Sequence, residues 1–182
     1  MFKLKRMIVK ILFLHVVLIT ILVSTGCTSM LYNTEIGKQK ILPYNTEIGR
    51  KKILQAQKNS LPIIISKIST NYPNSAGGVN FKINFKNISG KTIKYASFGA
   101  TAYNNVNDEV GCEIAGKRFA SVGGRITGPI EPSKIKSATW SNAWYNSTIK
   151  YAKISFINIE FMNGEILKYS DEKSIMQMII PE

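Results

Sequence analysis

VNFKINFKNISGKTIKYASFGATAY, from Val79 to Tyr103, is the stretch that decides the fold. Val79, Phe81, Ile83 and Phe85 alternate with Asn80, Lys82, Asn84 and Lys86, which puts one face in a core and the other in water. Asn87 to Lys91 (NISGK) breaks the alternation with turn residues, and Thr92 to Tyr103 resumes it in β-branched and aromatic residues. Two strands joined this way form either a hairpin or a crossing from one sheet to another. Both outcomes belong to an all-β domain.

The flanking sequence extends the pattern in both directions. LPIIISKIST (Leu61–Thr70) reads as a strand with Pro62 at its start, where proline is tolerated. NYPNSAGG (71–78) is a loop, and NNVNDE (104–109) turns the chain. Val110, Cys112 and Ile114 alternate in another expected strand, and Gly116–Lys117 turns again. Phe119–Thr127 reads as a further strand, bulged or kinked at Gly123 and Gly124. GPIEPSK (128–134) is a tight connection that its two prolines bar from a sheet interior. Ile135–Trp140 and Ile149–Phe161 then complete the sheets, the second apolar on both faces as a central strand would be. Asn163-Gly164 between two apolar runs is a strong hairpin signal. Asp171–Ile180 reads as a short terminal helix with Met176 and Ile179 or Ile180 inward. Seven to eight short strands with turns every 8 to 12 residues predict an Ig-like antiparallel β-sandwich, placed in a domain spanning 61–182.

The N-terminus sets a different expectation. MFKLKRMIVK is basic, ILFLHVVLITILV (11–23) is apolar, and Ser24, Thr25, Gly26 and Cys27 follow. This is the layout of a signal peptide over 1–26; the apolar run is short for a membrane span, which needs about 20 residues. VSTGC (23–27) resembles the lipobox of bacterial lipoproteins, with Ser24 where Leu is commonest. The resemblance implies cleavage between Gly26 and Cys27, lipidation of Cys27, and a membrane partner held through that lipid. Thr28 in place of Asp favours the outer membrane in a bacterium that has two. An ordinary cleaved signal peptide or an uncleaved anchor is the alternative.

Residues 27–60 read as a basic tether. They contain a tandem repeat, YNTEIGKQKIL (32–42) and YNTEIGRKKIL (44–54), separated by Pro43. A period of 12 in two copies is too short for a solenoid. It either lengthens a spacer or places two capped, basic, amphipathic turns on the membrane.

Composition narrows the chemistry. The formal net charge is +13, and removing the first 26 residues, with four basic side chains and no acids, leaves +9. Only Arg6, Arg50, Arg118 and Arg125 are arginine, so the bidentate phosphate and guanine contacts of nucleic-acid surfaces are poorly served. A generally cationic, soluble surface is the leading reading, attraction to anionic lipid or cell-wall polymer stands between that and nucleic acid, and an envelope protein or cell-wall polymer is the expected partner. His15 is the sole histidine and lies in the apolar run, which deprives the domain of His-based triads and most zinc geometries. We therefore expect no catalytic residues, metal or cofactor.

Four clusters invite a sharper reading. Asp108, Glu109 and Glu113 are either acid/base or calcium carboxylates, or a solvated turn. Trp140, Trp144 and Tyr145 in TWSNAWYNS are the candidate ligand-binding residues, forming an aromatic platform for sugar or peptide unless they are core. Gly123-Gly124-Arg125 lacks the following helix that a phosphate loop requires. Cys112, in an alternating strand, is expected as a buried structural thiol.

From Val79 onward the order of features resembles small extracytoplasmic domains of the FxLYD type. The matching parts are the apolar strand ending in Asn87, SGKTIKY (89–95), AYNNVNDEV (102–110), GPIEPSK before a tryptophan, and FMNGE (161–165). The resemblance implies a β-sandwich on an envelope protein and no shared activity. The functional expectation is a lipid-anchored, non-catalytic binding or interaction module of the cell envelope; a structural envelope component and a hydrolase-type enzyme are the alternatives.

Overall fold

The computed structural model describes residues 43–114 and 124–181. The signal peptide, Cys27, the first repeat copy, the Gly116–Lys117 turn and residues 119–123 lie outside the described residues.

Among the described residues eight strands form two antiparallel sheets. Sheet A has the order β1 (Ile63–Thr70), β2 (Gly78–Asn87), β6 (Ile135–Tyr145). Sheet B is centred on β3 (Ile93–Tyr103) and β7 (Tyr151–Phe161), with β8 (Ile166–Tyr169) beyond β7. On its other edge β3 pairs with β4 (Glu109–Val110) and β5 (Gly124–Ile130). This strand order is the Ig-like Greek-key arrangement. The Val79–Tyr103 stretch is a crossing between sheets, since β2 pairs with β1 and β6 while β3 pairs with β4, β5 and β7.

Alternation builds the core. Val79, Phe81, Ile83 and Phe85 of β2 are fully buried, as are Ile93, Ala96, Phe98 and Ala100 of β3. Phe85 meets Phe98 across the sheets with ring centroids 5.2 Å apart. β7 is central, as its two apolar faces predict, and a register shift opposite Gly99–Ala100 makes Ser155 a bulge. That shift lets Ile154 join Ile157, Ile159 and Phe161 inside.

Asn87 holds the crossing in place. It is fully buried; its amide donates to the carbonyls of Lys91 and Ile130, and its carbonyl oxygen accepts from the Ser89 amide and hydroxyl. At the other end, the Asn163-Gly164 hairpin forms with Gly164 at φ +87° and Phe161 N–H bonded to the Glu165 carbonyl.

Four expectations need correction. The strand at Val110–Ile114 is only Glu109–Val110 as a paired ladder, and Ile114 is exposed. β5 runs through Pro129 to Ile130; it is an edge strand, where the missing amide costs no ladder bond. The terminal helix α2 is short (Glu172–Gln177, capped by Asp171) and turns Ile175 inward with Met178 and Ile180, leaving Met176 exposed. Beyond it Ile65 N–H bonds the Met178 carbonyl and Ile180 N–H bonds the Ile65 carbonyl, so the chain covers the outer edge of β1.

The fourth concerns the tether. Its second half is folded: Pro43–Asn45 makes a 3-10 turn and Glu47–Lys58 an α-helix, α1. Thr46 caps α1 by accepting from Gly49 N–H at 3.0 Å. Tyr44 is buried and its hydroxyl lies 2.7 Å from Ser66 Oγ. Ile64 shares the outer face of sheet A with Lys86 yet is fully buried, because α1 lies over β1 through Ala56 and Ile53. Gly49 permits this, since a Cβ there would sit 2.0 Å from the Pro43 carbonyl oxygen. The apolar residues on the inward side are few: Tyr44, Ile53 and Ala56.

Candidate functional site

The residues singled out by sequence do not form one surface. Trp144 is fully buried and meets Phe81 edge-on, with centroids 5.8 Å apart at 74°. Trp140 stacks on the other side of Phe81 at 5.4 Å and 20°. Tyr145 is half-buried, and its carbonyl accepts from Glu113 N–H at 2.9 Å. Trp144 is therefore core, and the expected three-residue platform is not assembled. Cys112 packs, partly buried, against the core. Arg125 lies over the Tyr95 ring at 4.3 Å, which leaves its guanidinium facing a π surface and no anion nest. Asp108, Glu109 and Glu113 are exposed, and among the described residues no group of three or more His, Cys, Asp or Glu side chains is arranged to hold a metal.

A concavity that combines apolar and polar groups lies elsewhere. A cleft of about 620 Å³ runs beside the first half of β7. Ile68, Ile154, Ile175 and Ile179 give it an apolar floor drawn from β1, β7 and the C-terminal segment. β8 pairs only with Ile157–Glu160, so among the described residues this edge of β7 carries no strand over 152–156. The cleft lies along that uncovered edge. Ser155, on the bulge, lines it, and its hydroxyl is buried with no hydrogen-bond partner among the described residues.

The rim is aromatic and charged. Tyr103 and Tyr151 face each other across the β3–β7 ladder and stack at 5.3 Å and 9°. Lys153 Nζ sits 4.9 Å from the Tyr103 centroid, and the Tyr103 hydroxyl donates to Glu109 at 3.1 Å. Burial raises the Tyr103 hydroxyl above its ordinary pKa, and its hydrogen bond to Glu109 and the Glu109 charge add to that. Tyr103 is thus a neutral donor at any physiological pH, fixed in direction by a carboxylate. Glu172, in the first turn of α2, completes the rim. The arrangement offers a dry floor, backbone groups of a strand edge and a few oriented polar side chains, which suits binding.

The residues of this site come from five separate elements, β1, β3, β4, β7 and α2, so no single stretch of sequence announces it. The local trace is the pair of tyrosines at strand ends, which alternation places on an outer face.

No protein-family model and no curated protein matches the chain. Among solved structures it is similar to a hypothetical protein from Peptoclostridium difficile 630, at 13% identity and a TM-score of 0.39, covering 67% of this chain and 93% of that one. It is also similar to the Northeast Structural Genomics Consortium target SoR45, at 12% identity and a TM-score of 0.29, covering 59% of this chain and 80% of that one.

Proposed function

We propose that this chain is a lipid-anchored protein of the bacterial cell envelope whose β-sandwich is a non-catalytic binding module. The observation that carries the binding role is the cleft beside the uncovered half of β7, with its apolar floor and the unpartnered Ser155 hydroxyl. An extended ligand entering it would continue the position of β8, pairing with strand backbone and burying alternate side chains on Ile68, Ile175 and Ile179. The anchor is supported by the signal-like N-terminus and VSTGC, and relation to FxLYD-type domains is part of the same reading.

Two measurements test this. Intact mass and detergent partitioning, beside a Cys27→Ser variant, address the anchor: a mature chain starting at residue 27 with acyl mass is expected, and an unacylated chain refutes it. Selection of displayed peptides on the immobilised protein addresses the cleft. Enriched peptides should bind wild type and lose binding to Ile175→Trp, which fills the floor; enrichment that ignores this substitution removes the cleft from the reading.

A further inference from the structure

α1 does more than cover Ile64. Its inward side is spent on Ala56, Ile53 and Gly49, but its outward side is not conventionally polar. Ile48 is 60% exposed and Leu54 67% exposed, each on a turn that also presents a cation. Arg50, Lys51 and Lys58 share this exposed arc, with Glu47 as its acid, paired to Lys51 at 2.7 Å. Large aliphatic side chains set among cations on a solvent-facing helix are the composition of a helix lying in a membrane interface.

The sheet beneath has the same sign. β1, β2 and β6 contain four lysines and no Asp or Glu. By register Lys67, Lys82 and Lys86 project from the outer face of sheet A, the face on which α1 lies. That face sits roughly 10 Å below the outward side of α1, the diameter of a helix. Lysine side chains reach most of that distance, and the remainder is within the roughly 8 Å Debye length at physiological ionic strength. The carboxylates of sheet B, Glu109 and Glu160, lie on the opposite layer of the sandwich.

We infer that the outward face of α1 docks on an anionic lipid surface, with Ile48 and Leu54 entering the interface and Arg50, Lys51, Lys58 and the lysines of sheet A supplying the attraction. The commitment to lipid follows from charge complementarity combined with the two isolated aliphatic side chains. An acidic protein or polymer would use the cations and leave Ile48 and Leu54 idle. The second repeat copy then has two jobs, a buried side that grips the sandwich and an exposed side that grips the bilayer. In sequence the first copy repeats part of each set, with Tyr32, Gly37 and Ile41 matching the first and Ile36, Lys38 and Leu42 the second, while Gln39 stands in the place of Lys51.

The inference goes beyond the proposed cleft and leans on the anchor only for proximity. Its test uses the full chain reconstituted in vesicles, with the photo-cross-linking residue benzoylphenylalanine at position 48, 54 or, as a control on the β7–β8 turn, 163. Flotation of the chain with vesicles reports the anchor separately. Lipid adducts are expected from 48 and 54 in vesicles containing about one third phosphatidylglycerol, and not from 163. They should fall steeply in pure phosphatidylcholine and at about 0.5 M salt, where the Debye length shrinks to a few ångströms. Replacing Arg50, Lys51 and Lys58 by Gln should weaken the contact by about two orders of magnitude, at about 1 kcal/mol per cation near an anionic surface. Adducts equal at 48, 54 and 163, adducts indifferent to lipid charge, or chain-to-chain adducts showing a second copy on this face would each overturn the inference.

Discussion

The side-chain amide of Asn87 donates to the carbonyl of Ile130 at 2.9 Å, tying the end of β2 in one sheet to the end of β5 in the other. The same amide reaches Lys91, and Ser89 closes onto its oxygen, so every polar atom of this buried side chain is used. The NISGK turn therefore takes its shape from one asparagine.

Asn87→Leu should be among the most damaging substitutions of similar size. It removes the buried bond to the Ile130 carbonyl together with the bonds that shape the Ser89 turn, at about 1–3 kcal/mol for a buried unsatisfied group. Urea unfolding should show a lower midpoint with an unchanged slope. Equal stability of Asn87→Leu and Ser89→Ala would contradict the arrangement.

Gly124 lies beneath the Trp140 indole, where an added Cβ would come within 1.8 Å of the ring. Gly124→Ala should push Trp140 off Phe81, costing about 1–3 kcal/mol as an overpacked site. Loss of near-ultraviolet circular dichroism with retained far-ultraviolet signal is the expected signature. Trp144→Ala, emptying a fully buried site, should cost more, about 3–5 kcal/mol.

Gly49→Ala should loosen α1 from β1 without unfolding the sandwich, because the clash is with the Pro43 carbonyl within the 43–58 segment. Amide hydrogen exchange is the measurement. Protection over Glu47–Lys58 should drop while β3 and β7 keep theirs; a uniform loss across the domain would show that the helix and sandwich unfold together.

Acid should weaken the domain through two carboxylates. The hydrogen bond from Lys91 holds Glu165 below its ordinary pKa, and the Ser174 backbone N–H does the same for Asp171 at the cap of α2. A carboxyl whose folded pKa is depressed binds fewer protons folded than unfolded. Its contribution is complete above the ordinary carboxylate range and is lost as the pH falls through the lowered folded value. Denaturant midpoints measured from pH 7 to pH 3 should therefore decline, less steeply in Glu165→Gln and in Asp171→Asn. Parallel profiles for wild type and both variants would contradict the assignment.

Much of the sandwich is legible in the chain itself. Period-two runs such as Val79–Lys86 announce strands because a half-buried strand has no other way to satisfy both faces, and Asn163-Gly164 announces its hairpin through glycine's tolerance of positive φ. Partner choice is another matter. Nothing local distinguishes β2 turning back on β3 from β2 passing to a neighbouring sheet, since the outcome depends on β6, some fifty residues on. α1 is hidden for a related reason: Tyr44, Ile53 and Ala56 are too sparse to register as an amphipathic stripe, and only an apolar Ile64 on the outer face of sheet A, needing a cover, explains why they suffice. In α2 a six-residue helix carries too few turns to fix its phase, so Ile175 and not Met176 faces in. The cleft draws on Ile68, Tyr103, Ile154 and Ile175, which no window of sequence contains.

The crossing between β2 and β3 has a kinetic consequence. β2 waits for β6 and β3 waits for β7, and the two pairings interleave along the chain, β3 lying between β2 and β6, and β6 between β3 and β7. Neither sheet can be completed early and stored. Folding should be a single slow event on the millisecond-to-second scale of non-local β topologies, and the chain should stay unfolded until nearly all of the domain is available.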